Sequence, residues 1–199
     1  MADLRIHRFL PLTNAEGPGT RACVWVQGCS IKCEGCAVPW TWDRKGGISV
    51  DTEELAAAIL GTCGIEGVTF VGGEPFEQAS ALAALGAAVR HARLSVVTFT
   101  GLTYERIIEA ARPDWNDLLA VTDLLIDGPY QKAAAETTRP WVGSGNQRFH
   151  FLTDRYVHLA GSLTQIANRI EVHVLSNGTV LINGMAPPGV LDELLRGRI

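Results

Sequence analysis

The feature that most limits how this chain can fold is an alternation. Short apolar runs at residues 22–26, 67–71, 95–99 and 124–126 are separated by stretches with helical character. Strands interleaved with helices predict βαβ units, and βαβ units predict a parallel sheet, here curved or closed. A helix is expected to start near Asp51, because Asp51 and Glu54 have capping-box spacing ahead of the apolar residues 55–60. Further helices are expected over residues 78–93 and 104–111. A strand is expected ahead of them, where residues 4–9 alternate in polarity. Past residue 130 the pattern loosens until residues 170–175 and 179–182, which flank Asn177-Gly178. That dipeptide is a strong hairpin signal, so an antiparallel C-terminal appendage is expected.

Composition narrows the function classes. The chain has 199 residues, 47% of them hydrophobic, enough for one domain with its own core. Twenty-one acidic against 17 basic residues argue against a dedicated nucleic-acid binder. No stretch approaches the roughly 18 apolar residues that cross a bilayer, and residues 1–5 have no apolar signal core. A cytoplasmic location is therefore expected, where thiols stay reduced and clustered cysteines tend to hold metal.

Five cysteines cannot all pair with one another. Cys29, Cys33 and Cys36 stand in the spacing C-x3-C-x2-C, so one loop offers three thiolates to one iron–sulfur cluster. A fourth ligand is missing from the loop, which leaves one metal position open to a substrate or cofactor. Two plainer readings stand beside this one. A structural zinc site needs four ligands, and the nearest histidine outside the loop is His7. A simple electron carrier would need Cys23 or Cys63 as the fourth ligand, yet Cys23 lies in an apolar run and Cys63 follows a helix, so both read as packing residues.

At the end of the second core strand stand Gly72, Gly73, Glu74 and Pro75. The glycines let backbone approach a ligand, and Glu74 places a carboxylate where α/β folds build their sites. Thr98 and Thr100, at the third strand's end, are either ribose contacts or ordinary strand residues.

A three-cysteine loop after the first strand and Gly-Gly-Glu-Pro after the second resemble the radical S-adenosylmethionine (SAM) enzymes. The resemblance is greatest to the activating enzymes of glycyl radical proteins, among them the anaerobic ribonucleotide reductase activators. It runs over about residues 15–150 and includes residues 16–21, Gly35, Pro39, Thr41, Trp42, residues 100–105, 123–129 and 143–148. It implies a partial, open parallel β/α barrel over residues 1–150, with residues 151–199 as a hairpin and helix extension on the same body. It also implies that Cys29, Cys33 and Cys36 hold a [4Fe–4S] cluster and that Gly72, Gly73 and Glu74 bind the methionine amino group of SAM. The activity implied is reductive SAM cleavage to a 5′-deoxyadenosyl radical, most specifically to make a glycyl radical on a large partner protein. Flavodoxin or ferredoxin would supply the electron. Radical modification of a small molecule or peptide, and a non-catalytic electron carrier, are the alternatives.

Two departures accompany the resemblance. Ala37 and Val38 stand where the reductase activators have His and Asn, and about fifty residues follow Arg148, where those proteins nearly end. Asp127, Asn146, Gln147 and Arg148 are either cofactor or partner contacts or turn residues, Trp40, Trp42 and Trp141 read as packing aromatics, and the five histidines as structural or surface residues.

Overall fold

A computed structural model describes residues 3–185 and Glu193. In chain order the regular elements are β1 (Asp3–Thr13), β2 (Arg21–Val26), β3 (Ile48–Asp51), α1 (Thr52–Leu60), β4 (Gly67–Gly72), α2 (Ala79–His91), β5 (Ser95–Phe99), α3 (Tyr104–Ala110), α4 (Pro113–Val121), β6 (Leu124–Asp127), β7 (Arg148–Phe151), β8 (Ile170–Val174) and β9 (Val180–Gly184). Seven strands form one sheet in the order β3-β1-β2-β4-β5-β6-β7. Its centre, β2-β4-β5-β6, is parallel, and the flanking pairings β1-β3, β1-β2 and β6-β7 are antiparallel. The sheet is open, with β3 and β7 as its edges.

Both faces of the parallel centre are covered, as parallel sheets require. All six residues of β2 are buried. Ala22, Val24 and Val26 join Val68, Phe70 and Val96 against Leu82, Leu85, Ile107 and Leu118 of the helices. On the opposite face Cys23 and Trp25 pack with Leu10, Val71 and Leu181 of β9. Farther along that face, Val97, Leu124 and Ile126 meet Trp141, Val142 and Tyr156. Helices therefore cover one face, and the chain after residue 140 covers the other.

The expected cap at Asp51 forms, its carboxylate accepting from the amides of Glu53 and Glu54. Asp51 also ends β3, an edge strand that carries no clear sequence signal. The second expected helix, residues 78–93, begins at Ala79 after a 3₁₀ turn over Pro75–Gln78. The third, residues 104–111, ends at Ala110, because Ala111 turns left-handed (φ 48°) and Pro113 starts α4, a helix additional to those expected. The hairpin forms around Asn177-Gly178, with Gly178 at φ 81°. The helix expected after it lies outside the described residues.

At the N-terminal ends of the parallel strands a wholly buried arginine closes the sheet. Arg21 donates from Nε to Thr69 Oγ1 (2.9 Å), from Nη1 to Pro18 O (3.0 Å) and Tyr156 Oη (2.7 Å), and from Nη2 to Val68 O (2.8 Å). Its partners are neutral oxygens, so burial lowers its pKa while hydrogen bonds hold it in place.

Candidate functional site

At the opposite, C-terminal ends of those strands two loops are laced together. The amide of Gly73 donates to Val26 O and the amide of Glu74 to Gly28 O, both at 2.8 Å, so the turn after β4 lies directly on the entry to the cysteine loop. The glycines are required by that approach. A Cβ on Gly73 would stand 2.3 Å from Gly28 O, and Gly72 has φ 106° with Trp25 backbone 2.8 Å from its Cβ position. On the far side the loop is tied back by Gly28 N to Thr41 O (2.7 Å) and Cys29 N to Trp42 O (3.2 Å). Gln27, itself buried, donates to Trp40 O and Asp43 O, fixing the segment that returns toward β3.

Cys29, Cys33 and Cys36 line one cleft together with Gly72, Gly73 and Glu74 from β4, Thr100 and Gly101 beyond β5, and Tyr130 and Gln147. The three thiols are free and part-buried. Burial pushes the Cys29 and Cys33 thiols up, while amides of Ile31 and Lys32 directed at Cys29, and of Tyr130 at Cys33, act in the opposite sense. Among the described residues no three His, Cys, Asp or Glu side chains stand gathered at ion-holding distances. The donor set nevertheless suits an iron–sulfur group: three thiols from one loop, with no histidine or fourth cysteine in the cleft wall. Trp42, also in that wall, keeps its Nε1 buried without a hydrogen-bond partner. Cys23 is fully buried in the sheet, its thiol pushed well above the usual range by burial, and Cys63 is exposed after α1. Neither lines the cleft.

Glu74 is buried and already engaged. Its Oε1 accepts from Thr100 Oγ1 (2.8 Å) and Phe76 N (3.0 Å), and its Oε2 from Gly101 N (2.9 Å). Burial outweighs these donors and raises its pKa to about 7. The carboxyl thus clamps the chain after β5 onto the turn after β4. Pro75 is buried in the 3₁₀ turn and outside the cleft wall.

The two threonines separate. Thr100 faces the cleft, whereas Thr98 is wholly buried, its hydroxyl 2.9 Å from that of Thr122 at the end of α4. Of the two readings of Thr98, ribose contact or ordinary strand residue, this placement favours the second: its side chain lies on the helix-covered face. Among the residues read as contacts or turns, Gln147 alone lines the cleft, its Oε1 accepting from the amides of Gly143 and Ser144. Asn146 donates to Pro129 O (2.7 Å). Asp127 is buried and accepts from Tyr104 N and from Arg148, which also pairs with Glu105, so this trio ties β6, β7 and α3 together.

Sequence reasoning missed several site residues. Tyr130, Phe99 and Ile31 line the cleft without any motif to announce them. Glu77 accepts from Ser30 N (2.6 Å) and pairs with Arg44 (2.8 Å), so it steadies the start of the cysteine loop. Its position one turn past Gly-Gly-Glu-Pro was the available signal.

Residues 15–150 match the model of a 4Fe-4S single cluster domain. The chain is 33% identical over 154 residues to the anaerobic ribonucleoside-triphosphate reductase-activating protein of Enterobacteria phage T4, covering 74% of this chain and 94% of that one. The chain belongs to the family of these activating proteins. The Vibrio cholerae member is 28% identical over 75% of this chain and 99% of its own. A shorter match, 40% identical over 76 residues, is to the pyruvate formate-lyase-activating enzyme of Clostridium pasteurianum, covering 35% of this chain and 32% of that enzyme. The family model ends at residue 150, so the hairpin β8-β9 lies beyond it.

Proposed function

We propose that the protein is a radical SAM enzyme that makes a glycyl radical on a partner protein. The observation that carries this reading is the shared cleft, which the three cysteines and the Gly-Gly-Glu turn line together, the turn being held by backbone hydrogen bonds to Val26 and Gly28 at the entry to the cysteine loop. In this reading Cys29, Cys33 and Cys36 hold a [4Fe–4S] cluster, and Gly72, Gly73 and Thr100 face bound SAM, with Glu74 keeping those backbones in place. With both groups bound, one electron splits the sulfonium into methionine and a 5′-deoxyadenosyl radical, which takes a hydrogen atom from a glycine Cα of the partner. Residues 1–150 act as the radical SAM core, a partial barrel, and residues 151–199 as an extension packed on it. A cytoplasmic location, and flavodoxin or ferredoxin as the reductant, complete the proposal. Among the described residues no helix is long and apolar enough to cross a membrane.

A second reading is favoured by one observation. Leu181 of β9 packs on the same Leu10, Cys23 and Trp25 cluster as Val71, and Met185 reaches Gly143 beside Tyr130, so the extension stands close to two residues of the cleft wall. A small molecule or peptide would then replace the large protein as substrate. Anaerobically reconstituted protein, given reductant and SAM, should release 5′-deoxyadenosine; none released would end both readings. Adding an anaerobic ribonucleotide reductase and seeking a glycyl radical doublet by electron paramagnetic resonance separates them. Cys29→Ala should lose iron, and Cys23→Ala should keep it.

A further inference from the structure

A second cleft adjoins the first. It shares two wall residues with the cysteine cleft, Ile31 and Glu74, and is also lined by Ser30, the residue after Cys29. Four arginines border it, Arg5, Arg44, Arg106 and Arg112, against two glutamates, one of which is the buried Glu74. This concentration of positive charge occurs in a chain whose net charge is −4. Arg44 is engaged with Glu77, and Arg112 lies over the Trp115 ring while pairing with Asp114. Arg106 is exposed and makes no ion pair among the described residues. A local field of one sign steers an oppositely charged partner and speeds encounter, in a salt-dependent way.

We propose that this arginine-bordered cleft, which adjoins the cysteine cleft, is the docking surface for an acidic one-electron donor protein. The inference rests on the cluster assignment made above. A donor there meets the cysteine loop itself at Ser30 and Ile31, while the cysteine cleft stays available to SAM and the group it acts on. One electron leaves the donor, which is oxidised by one electron, and the cluster is reduced by the same electron, from its 2+ to its 1+ charge state. The positive border also favours the encounter of two proteins that are both acidic overall.

The test uses the full chain carrying its cluster, with reduced flavodoxin as donor and photoreduced 5-deazariboflavin, an uncharged small reductant, as bypass. Bleaching of the cluster's visible absorbance and 5′-deoxyadenosine release are followed separately. Paired Arg106→Glu and Arg112→Glu substitutions should slow flavodoxin-driven bleaching about tenfold or more and leave deazariboflavin-driven bleaching within about twofold. Wild-type flavodoxin-driven bleaching should slow as salt rises, a measurement that needs no variant. Flavodoxin-driven rates insensitive to both charge reversal and salt overturn the docking surface. So does equal slowing with both reductants, which marks the arginines as supports of the fold. Inhibition by free pyrophosphate without any loss in the paired variant also overturns it. Normal bleaching without 5′-deoxyadenosine would instead sink the proposed function and leave the docking result readable.

Discussion

Arg21 and Glu74 are both wholly buried, sit at opposite ends of the parallel strands, and have only neutral partners. Arg21 spends its donors on carbonyl and hydroxyl oxygens of β4, of the turn before β2 and of the later chain, and it does not line the cysteine cleft. Glu74 accepts from two amides and one hydroxyl and forms part of a cleft wall. An arginine has fixed charge and several donors in a rigid fork, so it can bridge many strands permanently. A carboxyl can give up its charge, and burial has brought its pKa to about 7. The closed end is built from a group that does not switch, and the open end from one that does.

The largest expected effect is at the closed end. Arg21→Met removes the donors from Thr69, Tyr156, Pro18 and Val68, and should lower the stability of the metal-free protein by about 3 kcal/mol or more in urea unfolding. Arg21→Lys should recover little, since one ammonium cannot reach Thr69, Val68, Pro18 and Tyr156 together. A loss under about 1 kcal/mol would break the comparison by showing that the closed end does not depend on the guanidinium.

Glu74 predicts a pH dependence of definite sign. Its folded pKa, about 7, exceeds the ordinary 4.5, so the unfolded chain releases the proton first as pH rises. Stability is full below about pH 4.5, declines toward about pH 7, and stays lower above by about 3 kcal/mol from this one group. Glu74→Gln should remove that slope and make the metal-free protein relatively more stable at about pH 8 than at about pH 5, compared with wild type. It should also slow the proposed SAM cleavage, because an amide cannot accept from Thr100, Gly101 and Phe76 together. An unchanged slope would mean that Glu74 is not the group that switches.

The same two ends differ in how far sequence discloses them. The four parallel strands, the Asp51 cap and the Asn177-Gly178 hairpin were legible because each is a local pattern: an apolar run, a capping spacing, a turn dipeptide. The edge strands β3 and β7 were not, since their partners supply the pairing and their own residues are half exposed. Helix α4 was hidden by the left-handed Ala111, which breaks one apparent helical segment into two. At the site, Cys29, Cys33 and Cys36 and the glycines were visible as motifs. The job of the glycines was not: they admit the protein's own backbone, a close approach that only the paired strands create. The structural role of Arg21 was not legible, because its acceptors on Thr69, Val68 and Tyr156 lie dozens of residues away.

Thr98 and Thr100 give the smallest and sharpest version of the comparison. A period of two would place both on one face of the sheet, but β5 ends at Phe99, and Thr100 turns its hydroxyl to Glu74 while also accepting from Leu102 N. Thr100→Val therefore strips one donor from a buried carboxyl and one acceptor from an amide. About 1–2 kcal/mol of stability should go, together with a measurable part of SAM cleavage. Thr98→Val leaves the Thr122 hydroxyl still donating to Leu118 O, so no more than about 1 kcal/mol should be lost and SAM cleavage should stay at the wild-type rate. Comparing the two variants at matched fractions folded separates stability from chemistry. If both lose SAM cleavage equally, the cleft depends on the strand as a whole; if only Thr100→Val does, the dependence runs through the Glu74 clamp.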